Sequence, residues 1–397
     1  MEKPINVFKL EGSEYEMGFK QGDHFRTQIQ SLYNELTHSD DFLASKPFIL
    51  PKFFFIKLAI SFASKMVIYS IKQNLPSQWE FLRGLSEGAN LSIKKILSLQ
   101  AIDSLGTKIS NYDITNNVQF SVNNCSAVGI TGERSETGNI LMIKNWDGPE
   151  FLAENIIFRK ISPSERDKYS TLGSGVNGLV GINNGMNEKG LSIVYSYAYP
   201  LDIGKKGIPP MFLIRAALEK CNTVNETINL IENHPRLGGA NIMVGDKKGD
   251  FAVIESSPSN IDVRREGMNG EKDYLICTNH YITNEMQKIE VPRNAVYNEN
   301  APQYLRGKPV HKSSILRYKT AFDILKNEAP SKISLEFLNK KIQCSHGPEN
   351  KPSEHTICNH GKVISTGFGI MIDIKNNHFY GTYGNPCKGK MLNISEI

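Results

Sequence analysis

The spacing of apolar residues changes near residue 124 of this 397-residue chain. Before that point apolar side chains recur every three or four residues, which predicts helices over 15–36, 53–71, 77–90 and 93–105. No strand pattern is obvious there. Residues 111–124 concentrate Asn, Ser, Thr and Asp, a composition typical of an exposed linker. We therefore expect a helical segment followed by a linker.

Beyond residue 124 the pattern predicts strands. Runs at 126–131 and 140–146 flank a turn in which Gly138 and Asn139 can adopt the positive φ of a hairpin. Further strands are predicted at 191–199, 241–245, 251–256, 367–374 and 378–383, with helices at 211–221, 224–233 and 313–327. Because strands and helices do not alternate one by one, the pattern favours a layered α+β domain over a doubly wound fold.

The apolar stretch 53–71 is about as long as a membrane-spanning helix. Lys57 and Lys65 interrupt it and, with Lys72, fall in one sector of a helix, which leaves a wide apolar face. The favoured interpretation is a buried amphipathic helix. Association with a membrane surface, or cover for an apolar substrate, are the alternatives.

Composition excludes several classes of function. The 46 basic and 41 acidic residues are interspersed, for a net charge of +5, so the electrostatic pattern of a nucleic-acid-binding protein is absent. The six cysteines include no C-x-x-C pair, which favours reduced thiols over a disulfide framework. The N-terminus shows neither a signal peptide nor a lipidation motif. We therefore expect a cytoplasmic protein with a small-molecule partner.

One motif resembles the fingerprint of a nucleotide-binding site. Gly173, Gly175 and Gly178 spell G-x-G-x-x-G, but no buried strand precedes them and no clear helix follows, so we interpret them as turns.

A second motif is rich in possible zinc ligands. Cys344-x-His346 is followed by His355-x-x-Cys358-x-His360. The spacing matches no standard zinc finger, and exposed surface residues explain the same pattern.

Cys125 stands at the start of a predicted strand. If the peptide bond before it were cut, the freed α-amine, with a reference pKa of about 7.7–8.0, could serve as the base for the thiol of the same residue. Asp147 on the neighbouring strand could hold that ammonium, and an Asn from elsewhere could stabilise an oxyanion. From spacing alone, a buried structural cysteine and a turn-capping Asp are the favoured explanation of these residues.

Four motifs, in this order along the chain, help to decide whether Cys125 is a nucleophile or a structural residue. They are NCSA at 124–127, NWD at 145–147, GMNEKGL at 185–191 and TNH at 278–280. They resemble the acyl-coenzyme A:6-aminopenicillanate acyltransferase family (peptidase family C45), a cysteine branch of the N-terminal nucleophile hydrolases. ANIMVG at 240–245, ICNH at 357–360 and Gly18-x-x-x-Gly22 extend the similarity over most of the chain.

The resemblance implies a four-layer αββα catalytic domain at 125–397, preceded by a helical segment, 1–124, that self-cleavage severs. It implies that Cys125 is the nucleophile, that Asp147 holds the α-amine and that Asn279 donates to the oxyanion. Tyr197 sits where related bile-salt and penicillin V amidases place another site residue. Arg317 is a further candidate, although the polar face of its helix would explain it equally well.

Two residues depart from the family pattern. Asn124 precedes the nucleophile where the penicillin enzyme has Gly, and Lys144 lies where the amidase relatives carry Arg. These departures bear on cleavage efficiency and on substrate choice. The family assigns no metal to the Ile-Cys-x-His run, which implies a structural role for Cys358.

The resulting hypothesis is an autoprocessed cysteine amidohydrolase that cleaves the linear amide bond of an N-acylated small molecule through a Cys125 thioester. One alternative is an acyltransferase that moves an acyl group from acyl-CoA to a small amine. Another is an uncleaved lipid- or acyl-binding protein. We expect no cofactor and no metal, and as partners the substrate and the cleaved N-terminal segment, with a membrane surface less favoured.

Overall fold

A computed structural model describes residues 5–395 apart from 40–41, 44–45, 102–123, 203, 205, 300 and 302. The predicted linker, except for Asn124, and the end of the predicted helix 93–105 lie outside the described residues.

The described helices fall before residue 101 and between the strands of the second part. They are α1 (Glu14–His24), α2 (Arg26–His38), α3 (Lys52–Asn74), α4 (Pro76–Gly88), α5 (Ile93–Gln100), α6 (Glu150–Ala153), α7 (Pro210–Lys220), α8 (Val224–Glu232), α9 (Asn284–Gln287), α10 (Lys312–Asn327) and α11 (Leu335–Phe337). A π-helix, Leu338–Gln343, continues α11.

The strands form two sheets. The larger has the order β1-β4-β5-β6-β7-β8-β9-β10 and the smaller the order β11-β2-β3-β12-β13-β14. Their bounds are β1 (Val7–Gly12), β2 (Asn124–Ile130), β3 (Leu141–Gly148), β4 (Ile156–Pro163), β5 (Thr171–Val176), β6 (Asn184–Asn187), β7 (Ser192–Ala198), β8 (Gly239–Gly245), β9 (Phe251–Ser256), β10 (Ile261–Arg264), β11 (Tyr274–Cys277), β12 (Ser365–Asp373), β13 (His378–Tyr383) and β14 (Leu392–Asn393).

The two sheets pack face to face between two layers of helices. Gly129 of the small sheet lies against the ring of Phe251 in the large sheet, and both sheets contribute to one buried core. On the outer face of the small sheet, Ile324 of α10 joins a second core. On the outer face of the large sheet, Leu218 of α7 packs over Gly185. The four-layer αββα architecture implied by the resemblance is thus confirmed.

The N-terminal segment contributes a strand that the sequence pattern does not reveal. Val7–Gly12 pairs in parallel with β4 at the edge of the large sheet. The strand lies at the edge of the sheet, and only Val7 and Leu10 in it are buried. The sequence therefore lacks the run of alternating apolar residues by which a strand is predicted. The expectation of a mostly helical segment with no obvious strand before residue 124 was therefore wrong at β1.

The Gly18-x-x-x-Gly22 motif is a contact between α1 and α4. A Cβ added at Gly18 would lie 2.1 Å from the carbonyl oxygen of Phe81, and one at Gly84 would lie 2.1 Å from that of Tyr15. Glycines on both helices therefore allow the two backbones to touch.

Helix α3 is only partly buried. Ala63, Val67 and Ile71 are fully covered, whereas Phe53, at 70% exposure, and Leu58, at 59%, face outward. The helix is long and apolar enough to cross a membrane, by length and composition only. The expected burial therefore holds for one face of the helix and is wrong for the other.

The G-x-G-x-x-G motif is not a set of turns at its first two glycines, because Gly173 and Gly175 lie inside β5. A Cβ at Gly173 would lie 2.5 Å from the carbonyl oxygen of Asn184 on the adjacent strand, and one at Gly175 would lie 3.3 Å from the guanidinium of Arg159. Glycines are needed here because neighbouring atoms pack closely against the strand. In the sequence, such glycines look the same as the glycines of turns.

Candidate active site

Cys125 is the second residue of β2 and is buried. Side chains from two other elements hold its backbone on both sides. Its nitrogen donates to Oδ1 of Asn279 at 2.8 Å, and its carbonyl oxygen accepts a hydrogen bond from the guanidinium of Arg317. The backbone of the predicted nucleophile is therefore fixed at both ends.

Arg317 lies on α10 with a fully buried side chain. Besides the Cys125 carbonyl, it donates to Oγ of Ser126 at 2.9 Å and to Oδ1 of Asn279 at 2.8 Å. Burial lowers the pKa of Arg317, and the nearby charges of Asp147 and Cys125 raise it. The structure thus places Arg317 beside Cys125, and the alternative of a solvent-facing polar residue was wrong.

Asp147 lies on β3, directly opposite Asn124 in the antiparallel pairing. Its fully buried carboxylate accepts hydrogen bonds from Oγ1 of Thr366 at 2.7 Å and from Nδ2 of Asn359 at 3.4 Å. Burial raises the pKa of Asp147 to about 6, against the opposing effects of the Arg317 charge and of these hydrogen bonds. The carboxylate is therefore costly to ionise until a further cation approaches it.

Asn279 follows the end of β11 and connects the two sheets. Its Nδ2 donates to the carbonyl oxygen of Tyr197 on β7 at 2.9 Å, and its backbone nitrogen donates to Oγ of Ser314 at 2.8 Å. Its Oδ1 faces the Cys125 nitrogen. This oxygen accepts hydrogen bonds, so donation to an oxyanion would have to come from the amide nitrogen, Nδ2. That donation stays a prediction.

Tyr197 is brought to the site through its backbone carbonyl. Its ring is buried and meets the ring of Tyr199 edge to face, with centroids 5.3 Å apart. All five predicted site residues, Cys125, Asp147, Tyr197, Asn279 and Arg317, are therefore linked by hydrogen bonds or by strand pairing around the start of β2.

Two contributors to this site were missed by the sequence analysis. Thr366 supplies the shorter hydrogen bond to Asp147, and Ser314 orients the backbone of Asn279. Asn359, which also contacts Asp147, belongs to the ICNH motif that carried part of the resemblance. Single Ser and Thr residues far along the chain give no sequence signal, since only the fold brings them to the site.

Lys144 is a fully buried cation next to this cluster. Its Nζ donates to the carbonyl oxygen of Tyr195 and to Oγ of Ser196 at 3.2 Å, both on β7 of the opposite sheet. Its charge is one of the influences that lower the pKa of Asp147. The departure from Arg at this position is thus accommodated by a hydrogen-bonded ammonium between the sheets.

A cleft of about 210 Å³ opens beside Asn124. Asn359 reaches it from the Asp147 side, and Tyr297, Leu305 and Val310 line its apolar part. The cleft therefore borders the residue that directly precedes Cys125.

The zinc-ligand motif is partly assembled. The structure brings His346, Cys358 and His360 together with Cys387, whereas Cys344 and His355 lie outside this group. The expectation that catalysis needs no metal concerns the Cys125 thiol and stays a prediction.

The sequence profile described as "Acyl-coenzyme A:6-aminopenicillanic acid acyl-transferase" matches residues 134–374, more than half of the chain. The chain belongs to this family. The resemblance to this family, inferred from the ordered motifs, is thus confirmed.

A curated relative of this family member is protein dcd1B of Dictyostelium discoideum, 25% identical over 269 residues. The match covers 63% of this chain and 50% of that protein, so this chain spans about half the length of the relative.

Solved structures of several hydrolases are similar to the chain. An N-acylethanolamine-hydrolyzing acid amidase ortholog from Caenorhabditis elegans is 17% identical, with a TM-score of 0.41, covering 63% of this chain and 93% of that one. A mutant of the conjugated bile acid hydrolase from Clostridium perfringens is 16% identical, with a TM-score of 0.41 and coverages of 68% and 93%. Penicillin V acylase from Agrobacterium tumefaciens is 14% identical, with a TM-score of 0.38 and coverages of 69% and 87%.

Proposed function

We propose that this family member is an autoprocessed cysteine amidohydrolase that cleaves the linear amide bond of an N-acylated small molecule through a thioester on Cys125. The observation that carries the proposal is the fixation of Cys125, whose backbone nitrogen is held by Asn279 and whose carbonyl is held by Arg317. Pairing of β2 with β11 ends at Ala127, so side chains rather than a neighbouring strand hold the backbone of Cys125 on that side.

In the proposed self-cleavage, Sγ of Cys125 attacks the carbonyl carbon of Asn124. The peptide C–N bond breaks, the nitrogen takes a proton, and a thioester joins Asn124 to Cys125. Water then hydrolyses the thioester, which leaves a carboxylate on Asn124 and a free thiol and α-amine on Cys125. Holding the backbone of Cys125 in place favours this intramolecular attack.

In the proposed substrate reaction, the α-amine takes the thiol proton and Sγ attacks the amide carbonyl carbon. Asp147 lies opposite Asn124 and would stabilise the resulting ammonium. The second N–H of the Asn279 amide group is the donor we assign to the oxyanion, since the first donates to Tyr197. The C–N bond breaks as the leaving amine takes the ammonium proton, and water then hydrolyses the thioester.

The size and lining of the cleft beside Asn124 suit a small acyl or amine group. Its apolar lining includes Leu305 and Val310, while Lys308 and Glu354 at its border form an ion pair of 2.9 Å. An apolar group in the cleft would lie next to the reacting carbonyl and displace water from it.

Acyl transfer is the second candidate, and the description of the family favours it. In that reaction an amine replaces water in the attack on the Cys125 thioester, while every residue keeps its role. The ratio of amide product to free acid, measured with an added amine, separates the two reactions.

The first test is the intact mass of the full chain under denaturing conditions. We expect wild-type protein to give fragments of residues 1–124 and 125–397, and Cys125→Ala to give a single chain. Cys277→Ala is the matched control, because Cys277 lies on the adjacent strand β11 and is as buried as Cys125. An uncut, active wild-type chain would contradict self-cleavage, and an uncut chain that binds acyl compounds tightly would support a binding protein.

The second test separates the two reactions of the thiol with Cys125→Ser. A hydroxyl can still attack the adjacent peptide slowly because that target is held in place, whereas hydrolysis of a diffusing N-acyl amide should fall much further. Hydrolysis by Cys125→Ala would show that the nucleophile has been placed wrongly.

A further inference from the structure

A cluster of two cysteines and two histidines lies at one end of the small sheet. His346 follows the π-helix, Cys358 and His360 precede β12, and Cys387 follows β13. Three segments, distant in sequence, therefore converge on one point. The Sγ and Nε2 atoms concerned belong to a group of ligand atoms that all lie within 4.8 Å of one another.

Four of the six separations among these atoms are close to the edges of a tetrahedron around zinc, and the other two are no longer than 4.8 Å. Nε2 of His360 lies 3.1 Å from Nε2 of His346, 3.5 Å from Sγ of Cys358 and 3.3 Å from Sγ of Cys387. The two sulfurs are 3.5 Å apart and both thiols are free. Tetrahedral zinc, with Zn–S of about 2.3 Å and Zn–N of about 2.0–2.1 Å, sets its ligand atoms about 3.3–3.8 Å apart.

We propose that His346, Cys358, His360 and Cys387 form a structural zinc site. Two thiolates and two imidazoles in tetrahedral arrangement are a donor set that selects zinc. Four protein ligands leave no position for a substrate, so the site is structural and adds a function distinct from the chemistry at Cys125.

Neighbouring contacts already hold the ligands in place. Nδ2 of Asn385 lies 3.7 Å from Sγ of Cys358 and would donate to the thiolate. The backbone nitrogen of Cys358 donates to the carbonyl oxygen of Ser345 at 3.0 Å, which joins the two ligand-bearing loops. Zinc would thus close a loop system that is largely preformed.

The zinc site would also stabilise the support of Asp147. Asn359 lies between the ligands Cys358 and His360, and its side chain donates to Asp147. Asn385 donates to the carbonyl oxygen of Asn359 at 2.7 Å. Binding of Cys358 and His360 to one zinc ion would therefore restrain Asn359, which contacts the carboxylate of Asp147.

The test measures the metal content of the full chain, carrying Cys125→Ala and no polyhistidine tag, by mass spectrometry of the metal. This background requires neither cleavage nor activity, so the result is independent of the proposed function. We expect about one zinc per chain, and the same in Cys344→Ser and His355→Asn, which remove the nearby Cys and His outside the cluster. Cys358→Ser and Cys387→Ser should lose most of the zinc.

Cobalt(II) replacement gives a second measurement. We expect the metal-free chain with added cobalt to show the thiolate-to-cobalt absorption and strong visible bands of a tetrahedral site, and Cys387→Ser to lose them. Cys387 is exposed, so its loss leaves the core intact, and circular dichroism checks the fold. A chain without zinc or a cobalt spectrum, bound iron in place of zinc, a Cys358–Cys387 disulfide, or zinc retained in Cys387→Ser would each overturn the proposal.

Discussion

Asn279 presents its side-chain oxygen to the backbone nitrogen of Cys125, at 2.8 Å. The same oxygen accepts from Arg317, and the amide group of Asn279 donates to Tyr197. If the Asn124–Cys125 bond is cut, this oxygen becomes the acceptor for the α-amine and orients its lone pair. Asn279 would then serve as an acceptor for the base and as a donor for the oxyanion.

Replacement of Asn279 by Ala should lower the turnover of an N-acyl amide by about 10²–10³, the usual effect of losing one oxyanion donor. Asn279→Asp keeps an acceptor for the Cys125 nitrogen but removes the donor, so we expect self-cleavage to persist while turnover falls. Steady-state hydrolysis and intact mass measure the two effects, and thermal unfolding checks the fold. Unchanged turnover in Asn279→Ala would place the oxyanion donor elsewhere.

The stability of the uncleaved chain should depend on the protonation of Asp147. Burial raises the pKa of this carboxyl to about 6 from the usual 3.8. Between these values the folded chain holds a proton that the unfolded chain releases, so the free energy of unfolding should fall as the pH rises, by at most about 1.4 kcal/mol per pH unit.

Urea unfolding of Cys125→Ala from pH 4 to pH 7 measures this dependence, with Cys125→Ala/Asp147→Asn as the control that lacks the carboxyl. In the cleaved enzyme the α-ammonium favours the charged carboxylate of the folded protein, so the same fall should end at lower pH and be smaller. Parallel pH curves for the two uncleaved proteins would show that Asp147 does not titrate in this range.

The ordered motifs singled out residues that the structure brings together at the start of β2, although their chemical roles stay predictions. Cys125, Asp147 and Asn279 come from β2, β3 and the end of β11, and these strands are neighbours in the small sheet. The pairing of β2 with β3 was predictable, but the expected turn was only partly right, because residues 131–140 join the strands and Gly138 has a positive φ whereas Asn139 does not.

Other parts of the structure depend on tertiary contacts that leave no local pattern. Thr366 and Ser314 are single polar residues whose partners are far away in sequence. Cys387 follows Cys358 by 29 residues, so spacing could not select it as the fourth ligand in place of Cys344. Gly173 and Gly175 have the local pattern of turns but serve the packing of a central strand.

Gly18→Ala should destabilise the chain, although the same change in an exposed helix gains about 0.5–1 kcal/mol. The added Cβ would lie 2.1 Å from the carbonyl oxygen of Phe81, so α1 and α4 would have to separate. We expect a loss of roughly 1–3 kcal/mol by urea unfolding. Lys20→Ala, exposed on the same helix, should change stability by less than about 0.5 kcal/mol, and a more stable Gly18→Ala would contradict the packing.

Glu14 connects the N-terminal segment to the rest of the molecule through a buried ion network. Its carboxylate lies 2.7 Å from Nη2 of Arg215 and 2.5 Å from Nζ of Lys168, and all three side chains are almost fully buried. Glu219 contacts the same two cations. The network therefore joins residues on both sides of the proposed cleavage point.

Glu14→Ala should lower the free energy of unfolding by roughly 3–5 kcal/mol. It leaves buried Arg215 and Lys168 with Glu219 as their shared carboxylate, and the further partner of Lys168, Glu165 at 3.5 Å, is partly exposed. Asp23→Ala on the same helix removes only an exposed pair with Arg26 and should cost less than about 1 kcal/mol. Urea unfolding of both variants in the uncleaved Cys125→Ala chain gives the comparison.

In cleaved protein, size-exclusion chromatography in moderate urea should release residues 1–124 from Glu14→Ala first, since no peptide bond then assists the network. Equal release from Glu14→Ala and Asp23→Ala would mean that the apolar contacts of α1 and α4 hold the two pieces together without it.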